Sequence, residues 1–591
     1  MRTFFLIAAF RLLSLGVTSA SSCKCTPSDS CYPTQDEWSS FSQNLSQPLI
    51  TNQRPLGASC YQNSTDYDST ACSVATANQY SEDFRAASSN ALIWVNFEAL
   101  ITNDSIQACP VTPESGGTCN QGRVPVYSVN ATTVEDIQNT IEFAQQYNLR
   151  LVVKNTGHEL GGRAFGSEAL ELYVHYFQGI DFVDTFVPEG CSSSDCSWTA
   201  ITVEAGAQWG DAYTTAQQNN RSIAGGFVPY GSVGAGAGWS LGGGHSPLSP
   251  FYGLGVDNVL QYTVVLPNAS YVTVNAVQNT DLFWAMRGGG GPSFGVTTSV
   301  TYKTHPNLPI TGAFYEASVN STDAYLELLE LWVSYHNRVA DAGWAGSWPF
   351  VADTGLYLTL ITLGAPPNQT ANETLQGFFD ESAEIPGVNV TLGLTVQYPD
   401  FYEWYYDNLV DSSMGYGLNY TAGLLAGVNI VGSSWLVPRD VFDSNGTALA
   451  TALANLTSAS PLYVLVGGGA VAEVDPDSAA VTPAFRRTIS DIETFLTFET
   501  DNTTTAATFQ QQMTEVHDQY APLRELAPAP YGGQYYNEPD LLETDWQIAF
   551  WGSHYDRLLA IKQEIDPNDL LLVRKGVNSE GWDDELLCKE D

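Results

Sequence analysis

The chain has 591 residues, 44% of them hydrophobic, which is more than one core usually organises and therefore predicts several lobes. Its 22 basic and 64 acidic residues give a net charge of -42. Such a surface repels phosphate backbones and anionic lipids, so composition excludes a nucleic-acid-binding protein and a protein that docks on an acidic membrane.

The N-terminal segment predicts secretion. Residues 1–20 begin with Arg2, continue through an apolar stretch and end in small residues, which is the pattern of a signal peptide cleaved after Ala20. Arg11 interrupts the apolar run, and no later stretch is long and apolar enough to span a bilayer. The mature protein is therefore expected to be extracellular, with no membrane partner.

Sequons and cysteines agree with that location. Fourteen Asn-x-Ser/Thr sequons are expected to carry N-glycans. All ten cysteines follow the cleavage site and are predicted to form disulfides. Close spacing suggests the pairs Cys60 with Cys72, Cys109 with Cys119 and Cys191 with Cys196. Two further bridges are expected among Cys23, Cys25, Cys31 and Cys588, with their connectivity open.

Residues 21–116 are predicted to form an N-terminal extension held by disulfides, and residues 117–306 an α+β region. In that region Thr132 and Glu135 have the spacing of a capping box before a helix. The remaining elements follow in order: strands at 150–154 and 199–205, a helix at 209–219, a hairpin at 257–274 turning at Pro267-Asn268, a helix at 281–287 and a strand from Gly295.

Residues 307–527 have a different pattern. A helical segment at 323–339 is flanked by strand-like runs, which predicts a second, substrate domain with an antiparallel sheet and helices. The last segment, 528–591, ends in an amphipathic helix stopped by Asp566-Pro567. The expected fold class is thus α+β with two lobes.

The most distinctive motif is a glycine-rich loop over residues 222–246. Its glycines let backbone N–H groups approach a ligand such as a diphosphate, although a glycine-rich surface loop fits the composition equally well. The spacing is neither a Rossmann fingerprint nor a Walker A motif, and no Gly-x-Ser-x-Gly elbow is present. The seven histidines show no close spacing of metal ligands, so no metal site is expected.

Four ordered motifs resemble a known family. Residues 152–166 (VVKNTGHELGGRAFG), 231–260 and 281–300 resemble the PCMH-type FAD-binding domain of the vanillyl-alcohol oxidase/p-cresol methylhydroxylase superfamily. Residues 535–570 resemble the C-terminal segment of berberine-bridge-enzyme-like proteins, and in particular that of the secreted fungal isoamyl alcohol oxidase-like group. The resemblance implies FAD as cofactor, a small-molecule substrate, dioxygen as electron acceptor and a monomer.

The resemblance also implies roles for individual residues. His158 lies where relatives attach the flavin, and Gly295 and Val296 would lie near the adenine. Tyr535 would be the catalytic base and Asn537 a flavin partner, although packing explains Tyr535 equally well. The diphosphate and flavin cradle would comprise Lys154, Asn155, Thr156, Gly157, Ser232, Val233, Gly234, Gly236 and Ala237, with Gly242, Gly243, Gly244 and His245 on the other side.

The chain departs from the family pattern at one position that affects the predicted number of covalent flavin bonds. Many berberine-bridge-like relatives add a second flavin bond through a cysteine before the glycine loop, and here that stretch reads GGFVPYGSVG. A single covalent bond through His158 is therefore expected. For Tyr535, nearby positive charge or hydrogen bonds would have to lower a pKa that is ordinarily about 10.

Three functions fit these patterns. The first is an FAD-dependent oxidase acting on a CH–OH group and producing hydrogen peroxide. The second is an oligosaccharide oxidase with an aromatic groove, to which Trp344, Trp348, Trp404, Tyr405 and Tyr406 are candidates. The third is a secreted flavin-binding protein without turnover, against which the intact flavin motifs argue.

Overall fold

The computed structural model describes residues 23–590 except 103, 113–116, 193–195, 229–230, 352–353, 412–425, 458–459 and 500–503. The predicted signal peptide, residues 1–20, lies outside the described residues. The described helices are α1 (Gln35–Ser42), α2 (Ser69–Asn78), α3 (Glu82–Ala86), α4 (Val134–Gln146), α5 (Trp209–Gln218), α6 (Gly238–Leu241), α7 (Ser249–Tyr252), α8 (Gly255–Asn258), α9 (Thr280–Met286), α10 (Thr322–Asp341), α11 (Gln369–Ala383), α12 (Phe401–Tyr405), α13 (Arg439–Ser444), α14 (Gly446–Ala454), α15 (Gly469–Glu473), α16 (Ala506–Gln519), α17 (Ala521–Leu526), α18 (Trp546–Trp551) and α19 (Tyr555–Ile565).

The strands assemble into three larger sheets and two short pairs. The described strands are β1 (Leu100–Ile101), β2 (Ile106–Gln107), β3 (Tyr127–Asn130), β4 (Leu151–Lys154), β5 (Leu170–Tyr173), β6 (Ile180–Phe186), β7 (Trp198–Glu204), β8 (Arg221–Ser222), β9 (Val259–Val265), β10 (Tyr271–Asn275), β11 (Val296–Lys303), β12 (His305–Pro306), β13 (Ile310–Val319), β14 (Ala345–Val351), β15 (Gly355–Leu363), β16 (Val388–Tyr398), β17 (Asn429–Pro438), β18 (Ser460–Leu465) and β19 (Thr488–Phe498).

The first two sheets form the lobe that contains the predicted FAD motifs. A parallel sheet has the order β3-β5-β4, and an antiparallel sheet has the order β10-β9-β11-β7-β6. Helix α4 packs on the parallel sheet because Ile137, Ile141 and Ala144 form one fully buried face. The α+β character and the hairpin β9–β10 confirm the prediction.

The capping box of α4 differs from the prediction by one residue. Thr133, not Thr132, is the N-cap, and its partner is Asp136, not Glu135. The Asp136 carboxylate accepts from the N–H groups of Thr132 (2.9 Å) and Thr133 (3.0 Å). It also accepts from the N–H of Ser46 at 2.7 Å, so the cap joins the N-terminal segment to the helix.

A seven-stranded antiparallel sheet forms the second lobe, as the alternating runs predicted. Its order is β16-β13-β15-β14-β18-β19-β17. Helices α10 and α11 cover one face, where Leu328, Leu329 and Trp332 of α10 are fully buried. Ile430 of β17 and Phe495 of β19 face the first lobe, where they pack in one hydrophobic cluster with Phe165.

Disulfides tie the outer segments to the fold. The three predicted close pairs are confirmed, and the remaining cysteines pair as Cys23–Cys588 and Cys25–Cys31. The Cys23–Cys588 bridge brings the two ends of the described chain together. Within the described part of the chain, no helix is both long and apolar enough to cross a membrane.

Candidate functional site

A cavity of about 300 Å³ lies between the two lobes. The five-stranded sheet contributes Val296 and Thr297 at the start of β11, and the seven-stranded sheet contributes Glu493 and Phe495 of β19. The turn after β4, the glycine-rich loop and the segment after Tyr535 complete the wall. These five separate parts of the chain therefore meet at one site.

Most of the predicted site residues line this cavity. They come from the turn after β4, from the glycine-rich loop, from β11 and from the C-terminal segment. The predicted residues in the wall are Asn155, Thr156, Gly157, His158, Val233, Gly234, Ala237, His245, Val296, Tyr535 and Asn537.

The other predicted residues support the wall from behind. These are Lys154, Ser232, Gly236, Gly242, Gly243, Gly244 and Gly295. The Lys154 ammonium turns to the N-terminal segment, where it donates to the carbonyls of Ala86 (3.2 Å) and Ser88 (3.0 Å). A Cβ on Gly242 would lie 2.1 Å from Oδ1 of Asn537, so this glycine permits the close approach of the tail.

His158 enters the cavity from the turn that follows β4. Its ring is 12% exposed, and burial lowers its pKa to about 3, so the imidazole is neutral. Nε2 lies 2.7 Å from Oγ of Ser232, and that hydroxyl donates to the carboxylate of Glu82. The backbone of His158 is fixed by Trp94, whose indole N–H donates to the His158 carbonyl at 3.3 Å.

Tyr535 places its phenol oxygen against the glycine-rich loop. This oxygen accepts from Nδ2 of Asn537 at 2.7 Å and from the N–H of Gly244 at 3.2 Å. Each bond acts to lower the pKa of Tyr535, but the two together do not produce the lowered pKa that a catalytic base would require. Burial and the nearby Glu538 nevertheless raise this pKa well above its usual range, so the phenol is neutral in this site.

A cluster of acidic residues beside Tyr535 was not predicted from the sequence. His245, Asp491, Glu493 and Glu538 each bring one polar atom within 4.8 Å of the others. Nε2 of His245 is 3.5 Å from carboxylate oxygens of both Glu493 and Glu538. Burial, followed by the neighbouring Glu538, raises the pKa of Asp491 and of Glu493 well above the usual range. The residues are too far apart in sequence for any spacing rule to connect them.

The wall contains polar atoms that lack a partner within the described structure. Oδ1 of Asn155, Oγ1 of Thr297 and Oη of Tyr536 are buried without a hydrogen bond. Buried polar groups are ordinarily satisfied, so these atoms fit a polar ligand that spans the cavity. At Gly157, φ is +83° and a Cβ would lie 2.9 Å from Cδ2 of Leu92. The positive φ and the close approach of Leu92 both require a glycine at this turn.

Comparison with known proteins identifies the family. Residues 125–275 match the family described as FAD binding domain, and residues 534–578 match berberine and berberine-like proteins. An FAD-linked oxidoreductase from Arthroderma benhamiae is 32% identical over 97% of this chain and 98% of its own length. The chain belongs to the FAD-linked oxidoreductases. The FAD-linked oxidoreductase apf9 of Gibberella fujikuroi is 33% identical over 97% of both chains.

Solved structures confirm the fold of this FAD-linked oxidoreductase. The VAO-type flavoprotein MtVAO713 from Myceliophthora thermophila matches 97% of the chain and all of its own with a TM-score of 0.83 and 28% identity. A glucooligosaccharide oxidase from Acremonium strictum, described with a 6-S-cysteinyl, 8α-N1-histidyl FAD, matches 77% of the chain and 91% of its own. Its TM-score of 0.63 and 21% identity support the fold alone. The predicted superfamily and the FAD-binding domain are thus confirmed.

Proposed function

We propose that this FAD-linked oxidoreductase is a secreted oxidase that oxidises a CH–OH group of a small molecule and delivers the electrons to dioxygen. One observation carries the proposal: the phenol oxygen of Tyr535 is held by Asn537 and Gly244 in the wall that also contains His158. A proton-transfer group and a flavin-binding turn therefore share one cavity.

The bound FAD would supply a hydride acceptor, its flavin N5, for the substrate carbon. The residues that would hold it are Asn155, Thr156 and Gly157 on one side and Val233, Gly234 and Ala237 on the other. Val296 and Thr297 would close the wall at the five-stranded sheet. The supporting observation is that all of these residues line the cavity, with polar atoms of Asn155 and Thr297 unpartnered among the described residues.

We infer one covalent tether, through His158. The neutral imidazole is the nucleophilic form, and it lies in the wall of the cavity. A second, cysteinyl tether needs a free thiol. All ten cysteines of the chain are engaged in disulfides, which supports a single bond.

We further propose that Tyr535 relays a proton from the substrate hydroxyl to a neighbouring group and is not itself the final proton acceptor. Because the phenol is neutral, its oxygen can take the hydroxyl proton of the substrate only as its own proton leaves. The His245 ring, whose centroid is 4.8 Å from that of Tyr535, and Glu538, which has a carboxylate oxygen 3.5 Å from Nε2 of His245, are the groups that would receive it, because Glu493 already holds a proton of its own. The acidic cluster would thus complete the base.

Secretion is proposed from the sequence and supported by the disulfides. Five disulfides are typical of an oxidising compartment, where dioxygen is also the available acceptor. The secreted protein would lose the signal peptide over residues 1–20 and carry N-glycans on the sequons.

An oxygen-consumption assay with a panel of alcohols and sugars tests the activity. Peroxide formed in proportion to substrate is the expected result. Dye reduction without peroxide would overturn the assignment of dioxygen as acceptor, and activity confined to oligomers would favour the oligosaccharide oxidase. Trp344, Trp404 and Tyr405 are buried in hydrophobic cores, which argues against a groove built from them. Tyr406 is exposed, and the side chain of Trp348 lies outside the described part of the structure.

A further inference from the structure

A chain of hydrogen bonds leaves the cavity at His158 and ends on a carboxylate of the N-terminal segment. Nε2 of His158 and Oγ of Ser232 are 2.7 Å apart, and the Ser232 hydroxyl donates to Oε2 of Glu82. The same carboxylate oxygen lies 3.8 Å from Nε2 of His158. Ser232 is 1% exposed and the side chain of Glu82 is 17% exposed, so the chain is shielded from water.

Each member of this chain is held from outside it. The carbonyl of Ser232 accepts from Nε2 of Gln208 at 2.9 Å. Glu82 opens helix α3, and the carbonyl of Ala86 at the end of that helix accepts from Lys154 (3.2 Å) and from Oη of Tyr173 (2.6 Å). The lysine of the KNTGH motif therefore anchors the helix that carries the carboxylate.

The direction of these bonds assigns the tautomer of His158. Because the Ser232 hydroxyl gives its hydrogen to Glu82, its oxygen accepts from the imidazole, and the ring proton lies on Nε2. Nδ1 then carries the lone pair. A carboxylate that fixes a ring nitrogen in this way also raises the basicity of the other nitrogen.

We propose that Glu82, acting through Ser232, is the positioning residue and proton acceptor for the formation of the covalent bond between Nδ1 of His158 and the flavin 8α-methyl carbon. The inference rests on the covalent tether proposed above. In this step a C–H bond of the methyl group breaks and an N–C bond forms. The imidazole proton would pass from Nε2 through the Ser232 hydroxyl to Glu82, and the methyl proton would be released to solvent. FAD would accept the two electrons of the broken C–H bond, and dioxygen would take up these two electrons with two protons to give hydrogen peroxide and restore the oxidised cofactor.

The surroundings of Glu82 favour this use. Burial raises its pKa, which strengthens it as a proton acceptor, and Asp83 on the same helix adds to the shift. The phenol of Tyr405 in α12 also senses the charge of Glu82, and burial raises the pKa of that phenol. No arginine or lysine pairs with Glu82 in the described part of the chain, so the carboxylate faces the serine and the histidine.

The inference is tested on purified full-length variants by measuring formation of the covalent flavin bond, and not by measuring catalytic turnover. The wild type is compared with Glu82→Gln, Glu82→Asp, Ser232→Ala and the matched control Asp83→Asn, whose side chain is exposed on the same helix. Total flavin per protein and the fraction that stays with the acid precipitate are measured. Each noncovalent holoenzyme is then kept aerobically between pH 5 and 9, and the gain in covalent flavin is followed.

We expect Glu82→Gln and Ser232→Ala to bind flavin but to form the bond at least about tenfold more slowly, with a rate that rises with pH as hydroxide replaces the carboxylate. Glu82→Asp should restore part of the rate, and Asp83→Asn, which removes only the minor contribution of Asp83 to the pKa of Glu82, should change the rate far less than Glu82→Gln does. A wild-type rate in Glu82→Gln would overturn the relay while leaving the tether intact. If Glu82→Gln fails to fold, Ser232→Ala decides in the same way. Complete release of flavin from the acid-treated wild type would instead overturn the tether and the relay with it.

Discussion

Burial sets the charge of the two side chains on which the proposed chemistry depends. His158 is neutral because burial lowers its pKa to about 3, and Tyr535 is neutral because burial raises its pKa well above the usual range. Neutral imidazole is a nucleophile, whereas neutral phenol is a weak base. The first residue is thus ready for bond formation, and the second needs a proton acceptor beside it.

Removing the Tyr535 hydroxyl tests that second role. Tyr535→Phe is expected to lower kcat about 100-fold, because proton transfer from the substrate loses its relay. Flavin content should stay unchanged, since the ring still packs beside His245. Steady-state oxygen uptake checks the prediction, with Tyr531→Phe as control because that hydroxyl contacts Asp440 away from the cavity. A kcat within twofold of the wild type would contradict it.

The buried acid Glu493 gives a prediction about stability and pH. Its raised pKa keeps the proton in the folded state, while the unfolded glutamate loses it near pH 4.3. Stability is therefore lost as pH rises above about 4.3 toward the folded pKa. Glu493→Gln should remove this loss, by at most about 1.4 kcal/mol per pH unit.

Thermal melts of Glu493→Gln from pH 4 to 8 measure the effect. The variant should gain in Tm relative to the wild type as pH rises. Glu473→Gln is the control, because that glutamate is exposed at the end of α15. Parallel curves for Glu493→Gln and the wild type would show that Glu493 is ionised in the folded protein.

At the scale of elements, strand ends and glycine turns build the cavity wall. The turn after β4 presents His158, and the glycine-rich loop receives the C-terminal segment at Gly242 and Gly244. The loop contains the short helix α6, and Trp239 of that helix is buried in the hydrophobic core. The loop is therefore a packed structural element rather than a surface loop.

The Cys23–Cys588 bridge should be the most stabilising of the disulfides at the N-terminus. It closes a loop of 565 residues, whereas Cys25–Cys31 closes one of 6. In the chain-entropy view, Cys23→Ser/Cys588→Ser should cost about 4 kcal/mol or more and Cys25→Ser/Cys31→Ser about 2 kcal/mol. Differential scanning calorimetry of both double variants ranks them. A larger drop in Tm for the second pair would contradict the prediction.

At the scale of the whole molecule, two lobes that share part of one hydrophobic core enclose the cavity described above, and the chain carries a net charge of -42. The charges repel one another at neutral pH and destabilise the compact state. Raising the ionic strength from 0.01 to 0.15 M shortens the screening length from about 30 to about 8 Å.

Salt should therefore raise Tm at pH 7 by a few degrees. The same salt series near pH 4.2, where the sequence is close to its isoelectric point, is the control and should show little change. A nonspecific salt effect would move both series equally, and that result would contradict a repulsive origin. A thermal shift assay with sodium chloride is sufficient to tell the two apart.

The resemblance of the sequence motifs pointed to the FAD-binding family and to eleven residues of the cavity wall. The sequence by itself also determined the α+β class and the main helices and strands. Local patterns carry that information: periodicity marks α10, alternation marks β15 and β16, and glycine spacing marks the loop. It did not determine that His245 meets Asp491, Glu493 and Glu538, or that Glu82 reaches His158 through Ser232. Only the tertiary structure decided these, because each contact joins segments that lie far apart in sequence. The pKa of Tyr535 also depended on burial between two lobes, which no local pattern records.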